Sequence, residues 1–328
     1  MLKNFQVRFS VAKRPKSRLR TLQFKALLLG LLALIGSRFC APAAELFRVA
    51  TYNLNNYIDL ATESRAAKTP ESKAKIREAI LELRADVLAL QEMGSQAALD
   101  ELRQSLQEAG SAYPHWEWVP GADTNIHVAV LSRFPIIARR PHTNENFLLY
   151  GRRFRVSRGF AEMDIEVATN YVFTLMTAHL KSRRVSPQAD ESELREQEAL
   201  LFREKIDALL KKNPNANLVV LGDFNDTKDS AALRAIRGRG NLALIDTRPA
   251  ERNGDNLPSA NPRFDPMNVT WTHFYGKEDT YSRIDYILLS PGMAREWNRL
   301  ETYILTLPNW GLASDHRPIV ASFWNGNR

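Results

Sequence analysis

Eight short apolar segments are the feature that most constrains the fold of this 328-residue chain. They are rich in Val, Ile, Phe and Tyr and span Leu46–Tyr52, Val87–Leu90, Val128–Leu131, Phe160–Val167, Val172–Ala178, Leu218–Leu221, Ile284–Leu289 and Ile319–Phe323. Segments of this length, bounded by polar residues, are typical of buried strands. Few helical segments separate them. The pattern therefore predicts two packed β-sheets with helices outside, rather than a strictly alternating parallel sheet.

Three segments have the spacing of amphipathic helices. The first runs from about Pro70 to Arg84, with Thr69 as its N-cap and a proline suited to the first turn. The second follows Ser95, and the third covers about 192–210. The predicted buried faces are Ile76, Ile80 and Leu83; Leu99, Leu102 and Leu106; and Leu194, Ala199, Phe202, Ile206 and Leu209. No linker is visible, so we expect one domain, with a long polar loop at Thr247–Asn268.

The N-terminal segment has the composition of a targeting signal. Residues 1–43 hold nine of the 45 basic residues and no acidic residue, and they include an apolar run at Ala26–Gly36. Small residues at 41–44 follow, which is the order of a secretory signal peptide. We predict cleavage near Ala43, a secreted or periplasmic protein without a stable membrane anchor, and a catalytic domain at 44–328. A basic tail or a membrane anchor is the alternative.

Charge and cysteine content narrow the chemistry of the mature chain. Outside residues 1–43, 36 basic residues face 37 acidic ones, so the net charge gives no reason to expect an anionic partner. The one cysteine, Cys40, lies in the predicted signal. Disulfides, thiolate catalysis and cysteine-ligated zinc are thereby excluded for the mature protein.

Polar residues able to bind a metal or move a proton follow or interrupt most of the apolar segments. They are Asn53, Glu92, His179, Asp223 with Asn225, Asp285, and the pair Asp315 and His316. A single Asp after a strand is more often a turn or a cap. Six such positions on separate segments predict a shared site, because strand ends at one rim can converge on a single pocket.

A metal ion would resolve the repulsion within this group. Its four carboxylates, Glu92, Asp223, Asp285 and Asp315, repel one another unless a cation lies among them. Oxygen ligands suit Mg²⁺ or Mn²⁺, with Ca²⁺ also open. A hard ion beside histidines indicates phosphoester hydrolysis. We expect Asp285 to be the partner of His316, because the side chain of the adjacent Asp315 diverges in extended chain.

Signatures of competing mechanisms are missing. The sequence has no G-x-x-x-x-G-K phosphate loop, no G-x-S-x-G elbow and no H-E-x-x-H zinc motif. The run Gly238-Arg239-Gly240 lacks the third glycine of a dinucleotide-binding fold. These gaps disfavour nucleotide triphosphatases, dinucleotide-dependent enzymes, serine hydrolases and zinc peptidases.

An ordered set of motifs resembles the endonuclease/exonuclease/phosphatase superfamily over nearly the whole mature chain. The set is Thr51-Tyr52-Asn53, Leu90-Gln91-Glu92, Leu131-Ser132-Arg133, His179-Leu180-Lys181-Ser182, Gly222-Asp223-Phe224-Asn225, Arg283-Ile284-Asp285-Tyr286 and Ser314-Asp315-His316-Arg317-Pro318. The resemblance implies a four-layer α/β sandwich with two central mixed, largely antiparallel β-sheets and helices outside.

The resemblance also implies residue roles. Glu92 would bind the metal, with Asn53 near metal or phosphate and Asp315 close to the metal. Asp223 and Asn225 would place or activate the attacking water. Asp285 and His316 would form a dyad, and His179 would bind the phosphate or assist the leaving group. Lys181, Arg133 and Asn55 are predicted to bind the substrate, although Asn55 stands where many members carry an acid.

Several features bear on the substrate. The His-Leu-Lys-Ser form is similar to secreted bacterial nucleases, and the residues around Asp285 do not resemble inositol 5-phosphatases. Six arginines at 139–158 with interleaved aromatics either follow a phosphate backbone or form a solvated surface. Asn125 is a candidate to orient His179, and we expect His127 to be buried structure.

The sequence thus predicts a secreted, divalent-metal-dependent phosphodiesterase, an endonuclease or another nuclease. A phospholipid (sphingomyelinase-like) or small-molecule phosphoesterase is the first alternative. A catalytically silent binding protein on the same fold is the second. The expected partner is a phosphodiester substrate, with nucleic acid first, and no protein partner is inferable.

Overall fold

A computed structural model describes residue 10 and residues 44–252 and 269–326. From residue 44 onward the described residues form one compact unit. The predicted signal segment and most of the predicted long loop lie outside the described residues. Among the helices that the structure describes, none is long and apolar enough to cross a bilayer.

Short strands dominate the described chain, with four α-helices between them. The strands are β1 (Leu46–Tyr57), β2 (Val87–Met93), β3 (His115–Val119), β4 (His127–Ser132), β5 (Ile136–Arg139), β6 (Asn146–Leu149), β7 (Arg152–Arg155), β8 (Ala161–Ala168), β9 (Tyr171–His179), β10 (Leu218–Asp223), β11 (Ile245–Asp246), β12 (Ala250–Glu251), β13 (His273–Tyr275), β14 (Thr280–Ser282), β15 (Asp285–Leu289), β16 (Trp297–Ile304) and β17 (Ile319–Trp324). The helices are α1 (Pro70–Leu83), α2 (Gln96–Glu108), α3 (Glu191–Lys212) and α4 (Ala231–Arg237).

Two large sheets pack face to face. One has the order β12–β16–β17–β1–β2–β4–β3, and the other β11–β15–β10–β9–β8–β5. Each contains a central parallel pair, β1 with β2 and β9 with β10, flanked mostly by antiparallel neighbours. The core between the sheets includes Phe47 and Val130 from the first sheet and Phe173 and Val219 from the second. Helices α1 and α2 cover the outer face of the first sheet, and α3 and α4 cover the second. The predicted four-layer sandwich is confirmed.

All eight predicted strands are present, most of them a few residues longer than expected. Helix α1 begins as predicted, since the Thr69 side chain accepts a hydrogen bond from Ser72 N. Helix α3 begins after Asp190, one residue before the predicted start, and buries Leu210 where Leu209 was expected. The difference follows from helical spacing, because Phe202, Ile206 and Leu210 recur every four residues on one face.

Gly222 is required where β10 passes its parallel neighbour β9. Its φ is +136°, and a Cβ there would lie 2.1 Å from the Ala178 carbonyl oxygen. The backbones approach this closely one residue before Asp223, so the glycine fixes the position of that carboxylate.

Replacing Gly222 should therefore lower the free energy of unfolding by more than the strain of its positive φ alone would. We expect Gly222→Ala to lower the free energy of unfolding by about 3 kcal/mol or more, measured by urea denaturation. Gly110→Ala is the control, because Gly110 also has a positive φ of +82° but nothing lies within 4 Å of its Cβ position. The control should cost about 1 kcal/mol. Equal losses in the two variants would contradict the close-approach explanation.

Candidate active site

The polar residues of both sheets meet at one edge of the sandwich. Asn53 and Glu92 lie at the carboxyl ends of the parallel strands β1 and β2, while His179 and Asp223 end the parallel strands β9 and β10. The antiparallel neighbours contribute from their beginnings. Asp285 opens β15 opposite Asp223. Asp315 and His316 lie a few residues before β17, whose first residue pairs with Thr51 of β1. Strand direction thus explains why residues far apart in sequence converge.

Left-handed backbone conformations aim several of these side chains. Glu92, Asn55, Asn56 and Asn225 have φ between +48° and +59°. The pairing of β2 shifts register around Glu92 with both of its neighbouring strands, β1 and β4, which marks a bulge. By simple alternation Glu92 would point towards the helices with Leu88 and Leu90. Instead its Oε2 accepts a hydrogen bond of 2.8 Å from Asn56 N at the site.

Asp223 lies at the centre of the cluster. The Asn53 Nδ2 donates to Asp223 Oδ2 at 2.9 Å and lies 3.5 Å from Glu92 Oε1. Asn225 donates its backbone N–H to Asp223 Oδ1 at 2.8 Å. The Asp223 side chain is 1% exposed. Burial is the main cause that raises the pKa of Asp223 to about 6, opposed by His316 and reinforced by Asp285.

His316 and Asp285 make the contact that the sequence predicted. His316 Nδ1 lies 2.9 Å from Asp285 Oδ2, and His316 Nε2 lies 3.8 Å from Asp223 Oδ2. Burial by itself favours neutral imidazole, but the carboxylates of Asp285, Asp223 and Asp315 outweigh it. The net effect raises the pKa of His316 to about 10. Asp285 is in turn held through its backbone N–H, which donates to Thr272 Oγ1.

His179 is buried beside the guanidinium of Arg158. Its Nε2 lies 3.2 Å from Arg158 Nη2 and 3.4 Å from Asp223 Oδ2. Burial, followed by repulsion from Arg158, His316 and Arg65, holds the pKa of His179 well below its usual range. Burial and these positive charges therefore favour the neutral imidazole of His179. Since a guanidinium can only donate, the contact with Arg158 places the free electron pair at Nε2.

Glu198 holds the two backbone segments beside His179, and no sequence pattern points to it. This residue of α3 is 2% exposed. Its Oε1 accepts from Ser157 N at 3.0 Å and its Oε2 from Lys181 N at 2.6 Å. Burial raises the pKa of Glu198 against these hydrogen bonds. A glutamate inside an amphipathic helix normally indicates a solvated face, which is why sequence reasoning missed it.

Asp315 lies at the opening of the site with two further residues that were missed. His273 Nε2 is 3.6 Å from Asp315 Oδ2, and its ring packs 4.6 Å from that of His316. Lys68 donates to the Ala313 carbonyl at 3.0 Å. Burial lowers the pKa of Lys68 to about 8, although Asp315 and Glu92 favour its charge. Both missed residues lie outside the quoted motifs.

The predicted substrate-binding residues divide in position. Asn55 donates its backbone N–H to Asn53 Oδ1 at 2.9 Å, which places it at the site. Lys181 follows His179, but its ammonium donates to the carbonyls of Ser182 and Arg184. The structure does not bring Arg133 to the site. It lies 3.6 Å from Asp86, at the start of β2, because β4 runs antiparallel to β2 and ends at the opposite edge.

The arginine cluster at 139–158 also divides. Arg139 pairs with Glu117, and Arg140 with Glu162 and Asp164, so these two are structural. Arg158 is 6% exposed and reaches His179. Asn125 donates its backbone N–H to Asp123 Oδ1 at 2.9 Å, whereas Arg158 contacts His179.

His127 is buried as expected. Its side chain is 5% exposed, and its ring packs 4.3 Å from that of Trp118. Burial lowers its pKa.

The donor set suits a hard metal ion. Among the described residues, two groups have ligand atoms within 4.8 Å of one another: Asp223, Asp285 and His316, and His273, Asp315 and His316. Asp285 Oδ1 is buried and has no hydrogen-bond partner among the residues that the structure describes. Asn53 connects Glu92 to Asp223, and Ser314 Oγ donates to Asn53 O at 2.8 Å next to Asp315. The sequence-based prediction that Glu92, Asn53 and Asp315 bind the ion stays a prediction.

Comparison with known proteins agrees with this geometry. The model of the Endonuclease/Exonuclease/phosphatase family matches residues 50–316. The chain belongs to this family. No curated protein sequence matches the chain.

Solved structures share its fold at low identity. The human Nocturnin catalytic domain with bound sulfate is 18% identical, with a TM-score of 0.60 over 85% of this chain and 97% of that one. Truncated Caenorhabditis elegans TDP2 is 16% identical, with a TM-score of 0.56 over 85% and 97%. Sphingomyelinase C from Streptomyces griseocarneus is 18% identical, with a TM-score of 0.54 over 85% and 99%. The chain therefore has the fold of a family of hydrolytic phosphoesterases that typically use a divalent metal.

The raised pKa of His316 gives a pH-dependent contribution to the stability of the metal-free protein. The contribution is complete below the unfolded-state pKa, about 6.5, and is lost as pH rises towards the folded-state value of about 10. We expect Asp285→Asn to lower the free energy of unfolding by about 3 kcal/mol at pH 6 and by clearly less at pH 9.5. Chemical denaturation in chelator measures both. A deficit that does not change with pH would contradict the ion pair.

Proposed function

We propose that this protein is a divalent-metal-dependent phosphodiesterase that cleaves nucleic acid. The observation that carries the proposal is the buried carboxylate of Asp223, which lies within hydrogen-bond or ion-pair distance of Asn53, His179 and His316. These groups come from separate strands of both sheets. A buried acid with a raised pKa between two imidazoles is an arrangement suited to proton transfer.

Each side chain would have a distinct role. Asp223, ionised above about pH 6, would accept the proton of the attacking water, and the Asn225 backbone N–H fixes the orientation of its carboxylate. His316, kept protonated by Asp285, would donate from Nε2 to the phosphate as negative charge develops. Arg158, whose guanidinium lies 3.2 Å from His179 Nε2, would supply positive charge beside a bound phosphate.

A metal ion fits at the same edge. Glu92, Asn53 and Asp315 would hold it, as the sequence predicted. Once bound, the ion would neutralise charge on the phosphate and on the leaving oxygen. The half-exposed carboxylate of Asp315 and the nearby Lys68 mark the side from which ion and substrate would enter.

An aromatic group beside the site supports nucleic acid over phospholipid. The ring of Tyr281 packs 4.8 Å from that of Trp271 and 4.7 Å from that of Phe274, and Trp310 packs on Trp271 at 5.5 Å. Of these four side chains only Tyr281 is largely exposed, at 57%. Flat, partly buried rings suit stacking on a base, whereas insertion into lipid needs a larger exposed apolar surface.

The location of action follows from the N-terminal segment. We propose that residues 1–43 direct export and that the mature enzyme works outside the cytoplasm. N-terminal sequencing of the protein recovered from the periplasm or the medium tests this, and the expected first residue is Ala44.

A substrate panel decides among the alternatives. Duplex DNA, RNA, sphingomyelin vesicles and a chromogenic phosphodiester are each incubated with Mg²⁺ or Mn²⁺, with and without chelator. We expect cleavage of DNA or RNA that chelator abolishes. Cleavage of sphingomyelin alone would replace the nuclease proposal with the lipid alternative. Inactivity on all four, with no metal bound by calorimetry, would favour the silent binding protein.

Substitution of the central acid tests the assignment of the site. We expect Asp223→Asn to reduce kcat on the cleaved substrate by about 10³-fold or more, because water would lose its base. His316→Ala should give a loss of similar order. Circular dichroism and denaturation check that both variants fold.

The matched control is Asp229→Asn, since Asp229 is an exposed acid (79% side-chain exposure) in the loop just after β10. It should retain full activity. An Asp223→Asn protein that keeps most of its turnover would remove the assignment.

A further inference from the structure

A two-stranded β-hairpin beside the site carries arginines that the catalytic proposal does not use. Strands β6 and β7 pair in register, with Asn146 opposite Arg155 and Leu148 opposite Arg153. The two-residue turn at Tyr150 and Gly151 has positive φ at both positions, as in a type I′ turn. Side chains two residues apart share a face, so Arg153 and Arg155 project from the same side of the hairpin.

The opposite side of the hairpin is anchored. Phe147 and Phe154 stack at 5.7 Å between ring centroids and belong to the core cluster that contains α3. The Tyr150 hydroxyl donates to Glu193 at the start of α3. The arginine side is therefore held in place by the packed side rather than left free.

Neither outward arginine is neutralised. Both are exposed. Arg153 donates to the Asn146 side chain and Arg155 to the Asn144 side chain, and both of these amides are neutral. Among the described residues, neither has a carboxylate within ion-pair distance. The one acid in this stretch, Glu145, is engaged by Lys205 at 3.1 Å and lies near His142. In contrast, Arg139 and Arg140, from the same basic stretch, are fully paired.

The hairpin runs directly into the site. After Arg155 the chain buries Val156, is held at Ser157 by Glu198, and reaches Arg158 beside His179. Extended chain advances at most about 3.5 Å per residue, so Arg155 lies within about 10 Å of Arg158 and Arg153 within about 17 Å. A nucleic acid strand advances about 3.4 Å per nucleotide. The two arginines thus lie at most about three and about five nucleotides from a phosphate at Arg158.

We propose that the outward face of this hairpin, through Arg153 and Arg155, binds the sugar-phosphate backbone of a nucleic acid strand several nucleotides from the bond that is cleaved. This inference rests on the proposed function and extends it to the part of the substrate outside the catalytic centre. A lipid surface fits less well, because the exposed apolar residues of the hairpin are Leu148 and Tyr150, and the latter is held by Glu193.

The test compares Arg153→Ser/Arg155→Ser with wild type on single-stranded oligonucleotides of 4 to 16 nucleotides. Near 0.15 M salt we expect KM for the 16-mer to rise about tenfold in the variant, with kcat changed less than twofold. The slope of log KM against log salt should fall by about 1.4, since each single-strand phosphate contact contributes about 0.7. With wild type, lengthening the strand should lower KM until it reaches the hairpin, and the variant should lose this gain.

Lys211→Ser/Lys212→Ser is the matched control. It removes the same charge from the far end of α3, about 30 Å along the helix from Glu193. Its KM and salt slope should equal those of wild type. A hairpin variant with unchanged KM and slope would overturn the proposal, as would an equal change in the control.

Two further measurements separate the possible failures. Equilibrium binding of the 16-mer in chelator, followed by fluorescence anisotropy, reports on the hairpin without cleavage, and the variant should bind more weakly. Hydrolysis of the chromogenic phosphodiester by wild type reports on the proposed function alone. If the variant instead lost binding only to vesicles of 30% phosphatidylserine in phosphatidylcholine, a membrane would be the partner and the proposal would be wrong.

Discussion

Two acids that face each other across neighbouring strands are the constraint on which the site depends. Asp223 and Asp285 occupy opposite positions in the β10–β15 pair, and both are buried. Like charges placed in this way destabilise a sheet unless a cation lies between them. His316 lies within ion-pair distance of both carboxylates. The same concentration of negative charge that favours the protonated imidazole makes this edge of the sandwich suited to a metal ion.

The surrounding fold brings this pair within reach of the other sheet. Gln91 of β2 and Thr177 of β9 are in side-chain contact across the interface between the sheets, and Asn53 spans from β1 to Asp223. The parallel strands lie at the centre of each sheet, where they are covered on both faces. The candidate catalytic groups therefore project from the covered centre of each sheet. The β6–β7 hairpin, which we propose binds the substrate away from the site, lies outside the two large sheets.

Strand ends were the part of the site that the sequence could predict. An apolar run followed by Asn53, His179 or Asp223 is a local pattern, and the convergence of such ends is a property of sheets in general. Arg133 was misplaced because its strand has the same local pattern but runs in the opposite direction, which only the pairing reveals. Glu198, Lys68 and His273 gave no signal, since their importance arises from neighbours distant in sequence. The short strands β11 to β14 and the short helix α4 also lack a readable period.

Glu198 has a consequence for how the cleft changes over time. One carboxylate of α3 holds the chain that carries Arg158 and the chain that follows His179, so the two walls beside the imidazole cannot separate independently. A small roll of that helix about its own axis would shift both walls together. A change in the residues beneath α3 would therefore move both segments beside His179 without replacing any of the candidate catalytic groups.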